Sequence, residues 1–286
     1  MSAVLTIARL TIVEAARRRT VWTLLALTLL TVALTTWGVE RLVSRARAGT
    51  QTELAIFVGV SQMLILVAFM FSFVLAMTAA FLGAPAIAAD LESGVAHAIL
   101  ARPIRRADLV VGRWLGLAII VVTYATASGL LEIAGVRLVT GYAPPEPLLA
   151  VGFLAGQSVV LLTIAILLST RLPAIAAGAI CVVLFGLGWM AGVFAGIGRA
   201  LDAGPLVAVA DASRWLLPTD GLWRGTIYGL EPPTVVFVAL GRGGAVAEAN
   251  PFFATAAPST AFLVWTAAWV VAVLALSIVS LSRRDL

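Results

Sequence analysis

Runs of twenty or more apolar residues recur along this chain between Thr20 and Leu281, and nothing else narrows its fold so far. A run of that length, wound as a helix, matches the ~30 Å hydrocarbon thickness of a bilayer. Inside lipid every backbone N–H and C=O must be bonded within the protein, so such runs are helices rather than open strands. Charged residues make up 12% of the 286, against about 25% in an ordinary soluble domain. The predicted fold class is therefore an all-α polytopic membrane protein, one transmembrane domain over residues 1–286.

Six spans are predicted, at 20–39, 57–88, 109–139, 148–170, 174–198 and 259–281. Residues 1–19 precede them as a moderately apolar helix ending in Arg17-Arg18-Arg19, with Glu14 four residues before Arg18. It reads either as an interfacial helix or as a positive flank that orients the first span. No small-residue cleavage site follows a short hydrophobic core, so an uncleaved anchor is expected. Glu40 to Glu53 reads as a polar loop. The second span is longer than a bilayer needs, so it should tilt, kink near Gly83 and Pro85, or project beyond the membrane. Residues 199–258 hold no stretch long enough to cross and are predicted to be extracytoplasmic. Two short helices broken at Pro218 are expected there, with Trp215, Trp223 and Tyr228 at the membrane interface.

All nineteen basic residues are arginine. A nucleotide-binding P-loop needs its lysine on the phosphates, so this chain carries no standard one, and no cofactor of its own is expected. The arginines flank apolar runs instead of forming a basic face, which argues against nucleic acid. Six spans put both termini on one side. That side carries eleven arginines and five acids, the other eight and nine. The rule that basic residues stay inside then places both termini in the cytoplasm. One histidine and one cysteine, Cys181, exclude the usual zinc clusters. The lack of lysine beside abundant Ala, Arg, Val and Gly points to a GC-rich bacterial genome; the expected location is a bacterial inner membrane.

Small residues recur within spans: Gly188, Gly192 and Gly196 in the fifth, Gly152 and Gly156 in the fourth, Gly112 and Gly116 opening the third. This spacing lets helix backbones approach closely, within one subunit or at a dimer seam. Met63, Met70 and Met77 lie seven apart on one face of the second span. About 10.5 Å separates neighbours, so no two hold one ion, and packing is expected over a lining role. Glu132 is the lone acid in a long apolar run and thus a candidate on a transport path. Its place near the outer end of the third span leads us to expect solvation or pairing with Arg137. Gln62 either lines such a path or hydrogen-bonds a neighbouring helix.

The longest polar interruption runs from Ala88 to Gly116 and holds Asp90, Glu92, His97, Arg102, Arg105, Arg106, Asp108 and Arg113. Apolar Leu91, Val95, Ala98 and Ile99 predict a helix over Asp90–Ala101, ending before Pro103. Asp108 is placed to cap the next helix. The pattern E-S-G-V…I-L-A-R-P-I-R-R-A-D-L-V-V-G-R-W-L-G resembles the first cytoplasmic loop of the membrane subunits of ABC type-2 exporters. Glu92, Gly94, Arg102, Pro103, Arg106 and Gly112 match; Arg113 stands where lysine is frequent.

The resemblance implies that residues 89–108 form a coupling helix docked on a separate ATPase subunit, through Asp90, Glu92, Ser93, Gly94, His97, Arg102, Pro103, Arg105 and Arg106. It implies two such ATPases, which hold ATP and Mg, and a second copy of the permease or a close paralogue. It also implies an interfacial N-terminal helix and leaves room for an extracytoplasmic accessory protein. The stretch L-L-P-T-D-G-L-W-R-G, residues 216–225, is similar to permeases serving multicopper-enzyme maturation, such as that of nitrous oxide reductase. The alternative, a secondary transporter or channel without an ATPase, calls for internal repeats and charge at mid-depth. Neither is visible in the sequence. An enzyme would need paired acids or an oriented histidine; His97 reads as a contact residue, not a catalyst.

Overall fold

The structure is a computed structural model that describes residues 3–17, 19–49, 51–94, 105–241 and 250–284. Among these, every element is an α-helix: α1 (Ala3–Ala16), α2 (Arg19–Ala48), α3 (Glu53–Gly83), α4 (Pro85–Glu92), α5 (Arg106–Thr140), α6 (Pro147–Ser169), α7 (Ala174–Ala200), α8 (Gly204–Leu216), α9 (Thr219–Leu230), α10 (Pro233–Gly241) and α11 (Thr260–Ser282). Six stretches are long and apolar enough to cross a membrane: 22–48, 53–92, 106–140, 147–169, 174–200 and 260–282.

Two boundaries differ from the sequence reading. The polar loop expected from Glu40 is helix as far as Ala48. Glu40, Arg41, Arg45 and Arg47 end the apolar run but favour helix, so the coil continues past the hydrophobic limit. Its end is tied back where Arg47 meets Glu53 at 3.1 Å. The long second stretch breaks at Ala84, where Pro85 opens α4. There Gly83 lies so close to α6 that a Cβ on it would stand 2.7 Å from that of Ala165.

Helix α6 is the most enclosed stretch and the centre of the bundle. Helices α3 and α5 pack on it, while α2 and α11 are largely exposed along their lengths. Helix α1 lies along the start of α5. Ala8, Thr11 and Ala15 form its buried stripe, at spacings of three and four. A Cβ on Gly112 would sit 2.7 Å from Ile7 Cβ, and one on Gly116 2.7 Å from the Ala8 carbonyl oxygen. These two glycines let α1 rest on α5, backbone to backbone.

The segment between α7 and α11 does not stay outside the bundle. Helix α8 descends against α7 and α9 returns against α6, forming a re-entrant hairpin that turns at Leu217–Pro218. At the top, a Cβ on Gly229 would meet the Glu146 carbonyl oxygen at 2.8 Å. At the turn, Gln157 Nε2 donates to the Thr219 carbonyl at 3.3 Å, and Ser72 Oγ donates to Gln157 Oε1 at 2.8 Å. Gln157 stands ten residues into α6, so the turn reaches about 15 Å along the bundle. Backbone that departs from helix at such depth is tolerated where protein encloses it.

Trp223, expected at the interface, is 2% exposed. Its indole N–H donates to the Pro251 carbonyl at 3.1 Å, Phe69 and Phe252 pack against its ring, and Trp189 packs on Phe69 in turn. Trp215 is half exposed and its carbonyl accepts from Trp265 Nε1 at 3.0 Å.

Candidate functional site

At the end of the bundle where α4 and α5 meet the polar loop, side chains tie five elements together. Arg113 donates to Glu14 Oε2 of α1 at 2.8 Å and to Asp90 Oδ2 of α4 at 2.7 Å. The triad is partly shielded, with Arg113 15% and Asp90 17% exposed. That shielding is the setting in which an ion pair fixes geometry, unlike a fully exposed pair.

Arg106 Nη1 donates to three carbonyls at the close of α11: Leu281 at 2.7 Å, Ser282 at 3.0 Å and Arg284 at 2.7 Å. Arg284 in turn donates to the Thr170 carbonyl at 2.7 Å, and Arg171 bonds Ser280 through both its hydroxyl and its carbonyl. Helix C-termini leave carbonyls unpaired and partly negative, so guanidinium groups satisfy them. Asp108 caps α5 from within the first turn, accepting from the Arg105 N–H at 3.4 Å.

The helix expected from Asp90 to Ala101 does not begin there. Asp90 and Glu92 close α4, and Gly94 follows with φ +73°. This left-handed conformation is nearly free of strain only for glycine, and it stops the helix. Glu92, Ser93 and Gly94 are exposed, as is Arg105. Glu92 also accepts from the Ala174 N–H at 3.3 Å, at the start of α7. His97, Arg102 and Pro103 lie outside the described residues.

Sequence reasoning missed a second polar centre on the re-entrant hairpin. Asp220 is 5% exposed and accepts from Arg214 at 2.8 Å and Arg224 at 3.4 Å. Asp211 joins Arg199 at 3.0 Å and Arg214 at 3.1 Å. Arg224 reaches on to the Gly192 carbonyl at 3.2 Å. Gly192 admits the Asp220 carboxylate and Gly188 admits Thr219, each where a Cβ would collide. Gly196, one turn on, is buried on the same helix. These glycines seat the hairpin of their own subunit. Charge is thus present inside the bundle, contrary to the sequence reading. It was hidden because each group looks like loop until its partners on other helices are known.

Glu231, at the end of α9, was also overlooked. It is 2% exposed and accepts from Gln62 Nε2 and the Ala254 N–H, both at 3.4 Å. Burial pushes its carboxyl up to about 7, and those two bonds pull the other way. Gln62 therefore bonds a neighbouring element. Met63 and Met77 are half-buried and Met70 is 56% exposed, beside exposed Leu66 and Phe73.

Glu132 is not solvated and not paired with Arg137, which is exposed. It is 3% exposed, and neither carboxylate oxygen has a hydrogen-bond partner. The Thr35 hydroxyl of α2 approaches it at a geometry short of a bond. The surface expectation placed helix α5 correctly end to end but not in rotation: residue 132 faces inward, toward α3 and α6.

Against known proteins, residues 5–286 match the model of a family described as ABC-2 family transporter protein. No curated protein matches the chain.

Proposed function

The chain belongs to the ABC-2 transporter family as a multi-pass membrane component with six apolar helices, and from that premise we propose that it is the permease of an ATP-driven exporter. Family membership implies an ABC ATPase as partner. In our reading two ATPase subunits bind two permease copies from the cytoplasm, and they alone hold ATP and Mg. The protein sits in a bacterial inner membrane with both termini cytoplasmic.

The observation that carries this reading is the junction at the loop end. Exposed Glu92, Ser93 and Gly94 stand where an ATPase would press. Behind them Asp90 is tied to α1 and α5 through Arg113, Glu92 to α7, and Arg106 to α11. A push on this loop is felt at once by four other helices. ATPase closure then moves them together and opens a path between the two permease copies.

Co-purification of the tagged permease with a soluble P-loop protein tests the partnership. ATPase stimulation of the reconstituted complex by a substrate panel tests transport. Glu92→Arg is expected to insert normally and to lose stimulated hydrolysis; full stimulation in that variant would refute the docking role. A carrier working without an ATPase would also display a re-entrant hairpin with buried ion pairs. Transport by the permease alone, driven by an ion gradient, is the result that would favour it.

A further inference from the structure

Two hollows lie at successive levels of α3, on either side of its Ile56–Val60–Leu64 ridge. A groove of about 250 Å³ opens between α2 and α3, lined by Val39, Leu42, Val43, Ile56, Gly59 and Val60 among others. The next turns of α3, through Leu64, Ala68 and Phe71, line a smaller cavity of about 20 Å³ bounded by α5, α6 and α9. That volume holds one water or one group of its size. Beside Glu132 the residues lining the inner cavity are apolar, and the polar group nearest the carboxyl is the Thr35 hydroxyl of α2.

An unpaired carboxylate among apolar walls costs several kcal/mol, so the group needs a proton or a cation against it. No described arginine pairs with it. An amphiphilic amine supplies what is missing: an ammonium group the size of a water, donating N–H to a carboxylate, on a hydrocarbon body that fits the groove. A bare metal ion does not fit, since beside Glu132 the described side chains offer only the Thr35 hydroxyl, far short of the oxygen shell a hard cation takes. A phosphate or carboxylate headgroup would be repelled.

We propose that Glu132 and the α2–α3 groove form a binding site for a lipophilic amine, the cargo class of this transporter. The assignment of cargo rests on the exporter reading; the binding itself does not. The ammonium bonds Glu132 in place of the proton it displaces, and the chain lies along Val60, Ile56 and Val43 toward the α2–α3 opening.

The test uses the whole purified permease in lipid nanodiscs, with dodecylamine and dodecanol as probes and thermal stabilisation as readout. Dodecylamine should stabilise the wild type well beyond dodecanol. Glu132→Gln should weaken dodecylamine binding about tenfold or more, as expected when one charge-assisted hydrogen bond goes, and leave dodecanol unchanged. Gly59→Leu provides a second arm. Nothing lies within 4 Å of a Cβ there, so the variant folds and fills the groove, and it should weaken the amine too. Equal dodecylamine binding by wild type and Glu132→Gln, or no preference for amine over alcohol, would overturn the site; either result means the carboxyl holds a proton only. Should Glu132→Gln fail to fold, unaltered amine binding by Gly59→Leu overturns it instead. If binding behaves as expected but the amine never stimulates ATP hydrolysis in the reconstituted complex, the site stands and its assignment as cargo fails; the exporter reading falls only if the whole substrate panel fails as well.

Discussion

Burial holds the Glu231 carboxyl above the ordinary range, because α9 brings it under cover with Gln62 and one backbone N–H as its hydrogen-bond donors among the described residues. The phenol of neighbouring Tyr142 donates to the Leu230 carbonyl instead, at 2.7 Å. An ordinary value of 4.5 rises to about 7 on folding. Between those values the folded chain keeps a proton that the unfolded chain has released. Stability is then greatest below 4.5 and falls as pH climbs to about 7. Glu231→Gln retains shape and hydrogen bonding but cannot titrate. Melting curves from pH 5 to 8 should show the wild type losing ground to this variant as pH rises; parallel curves would mean that Glu231 is ionised at neutral pH in the fold. No single-chain pattern marks this residue, since G-L-E-P-P reads as a loop. Glu132 was marked, as an acid in an apolar run, and only its burial against α3 and α6 was out of reach. Periodicity gives a residue's spacing along a helix but not which side a neighbour will cover.

At the scale of elements, glycines decide which helices touch. The same small-residue spacing was legible in three spans, yet it serves different ends. On α5 it seats α1, and on α7 it seats the re-entrant hairpin. Gly116→Leu would drive a side chain into the backbone of Ala8 and the Cβ of Thr11. The expected cost is roughly 1–3 kcal/mol, taken by displacing α1, since the exposed remainder of that helix offers little resistance. Hydrogen exchange should then rise over residues 3–16 and stay unchanged over α6. Retained protection of α1 would show that its other ties, the Ile7–Gly112 contact and the Glu14–Arg113 pair, suffice to hold it. Gly192→Leu should act at the other end, expelling Asp220 from its notch. Arg214 and Arg224 would then face each other with their shared carboxylate gone, and we expect loss of folded protein in detergent, read by size-exclusion chromatography. The six spans were legible because lipid demands apolar length. The hairpin was not, because its Asp and Arg residues are affordable at depth only in one another's company.

For the molecule as a whole, the question is what joins the last helix to the first half of the chain. Helix α11 is the least enclosed of the six candidate spans. Its firmest polar attachments lie at one end, where Arg106 holds three of its terminal carbonyls and Arg171 and Arg284 link it to the α6–α7 turn. All three arginines carry charge that topology rules already place on one side. The residues expected from the sequence to orient the chain therefore also close that end of the bundle. Replacing Arg106 by leucine keeps bulk while stripping the donors from three carbonyls. A loss on the order of 1–3 kcal/mol follows if even one of them stays shielded from water. The variant should still insert with six spans, because the apolar runs are untouched, and so protease mapping of its loops should match the wild type. What should change is α11: faster cleavage near Ser280 and a lower melting temperature. On the proposed ATPase coupling, stimulated ATP hydrolysis should become less dependent on cargo, since the loop could then move without carrying the last helix. A variant with normal cargo response and loosened α11 would show that the power stroke bypasses that helix and runs through α1, α5 and α7 alone.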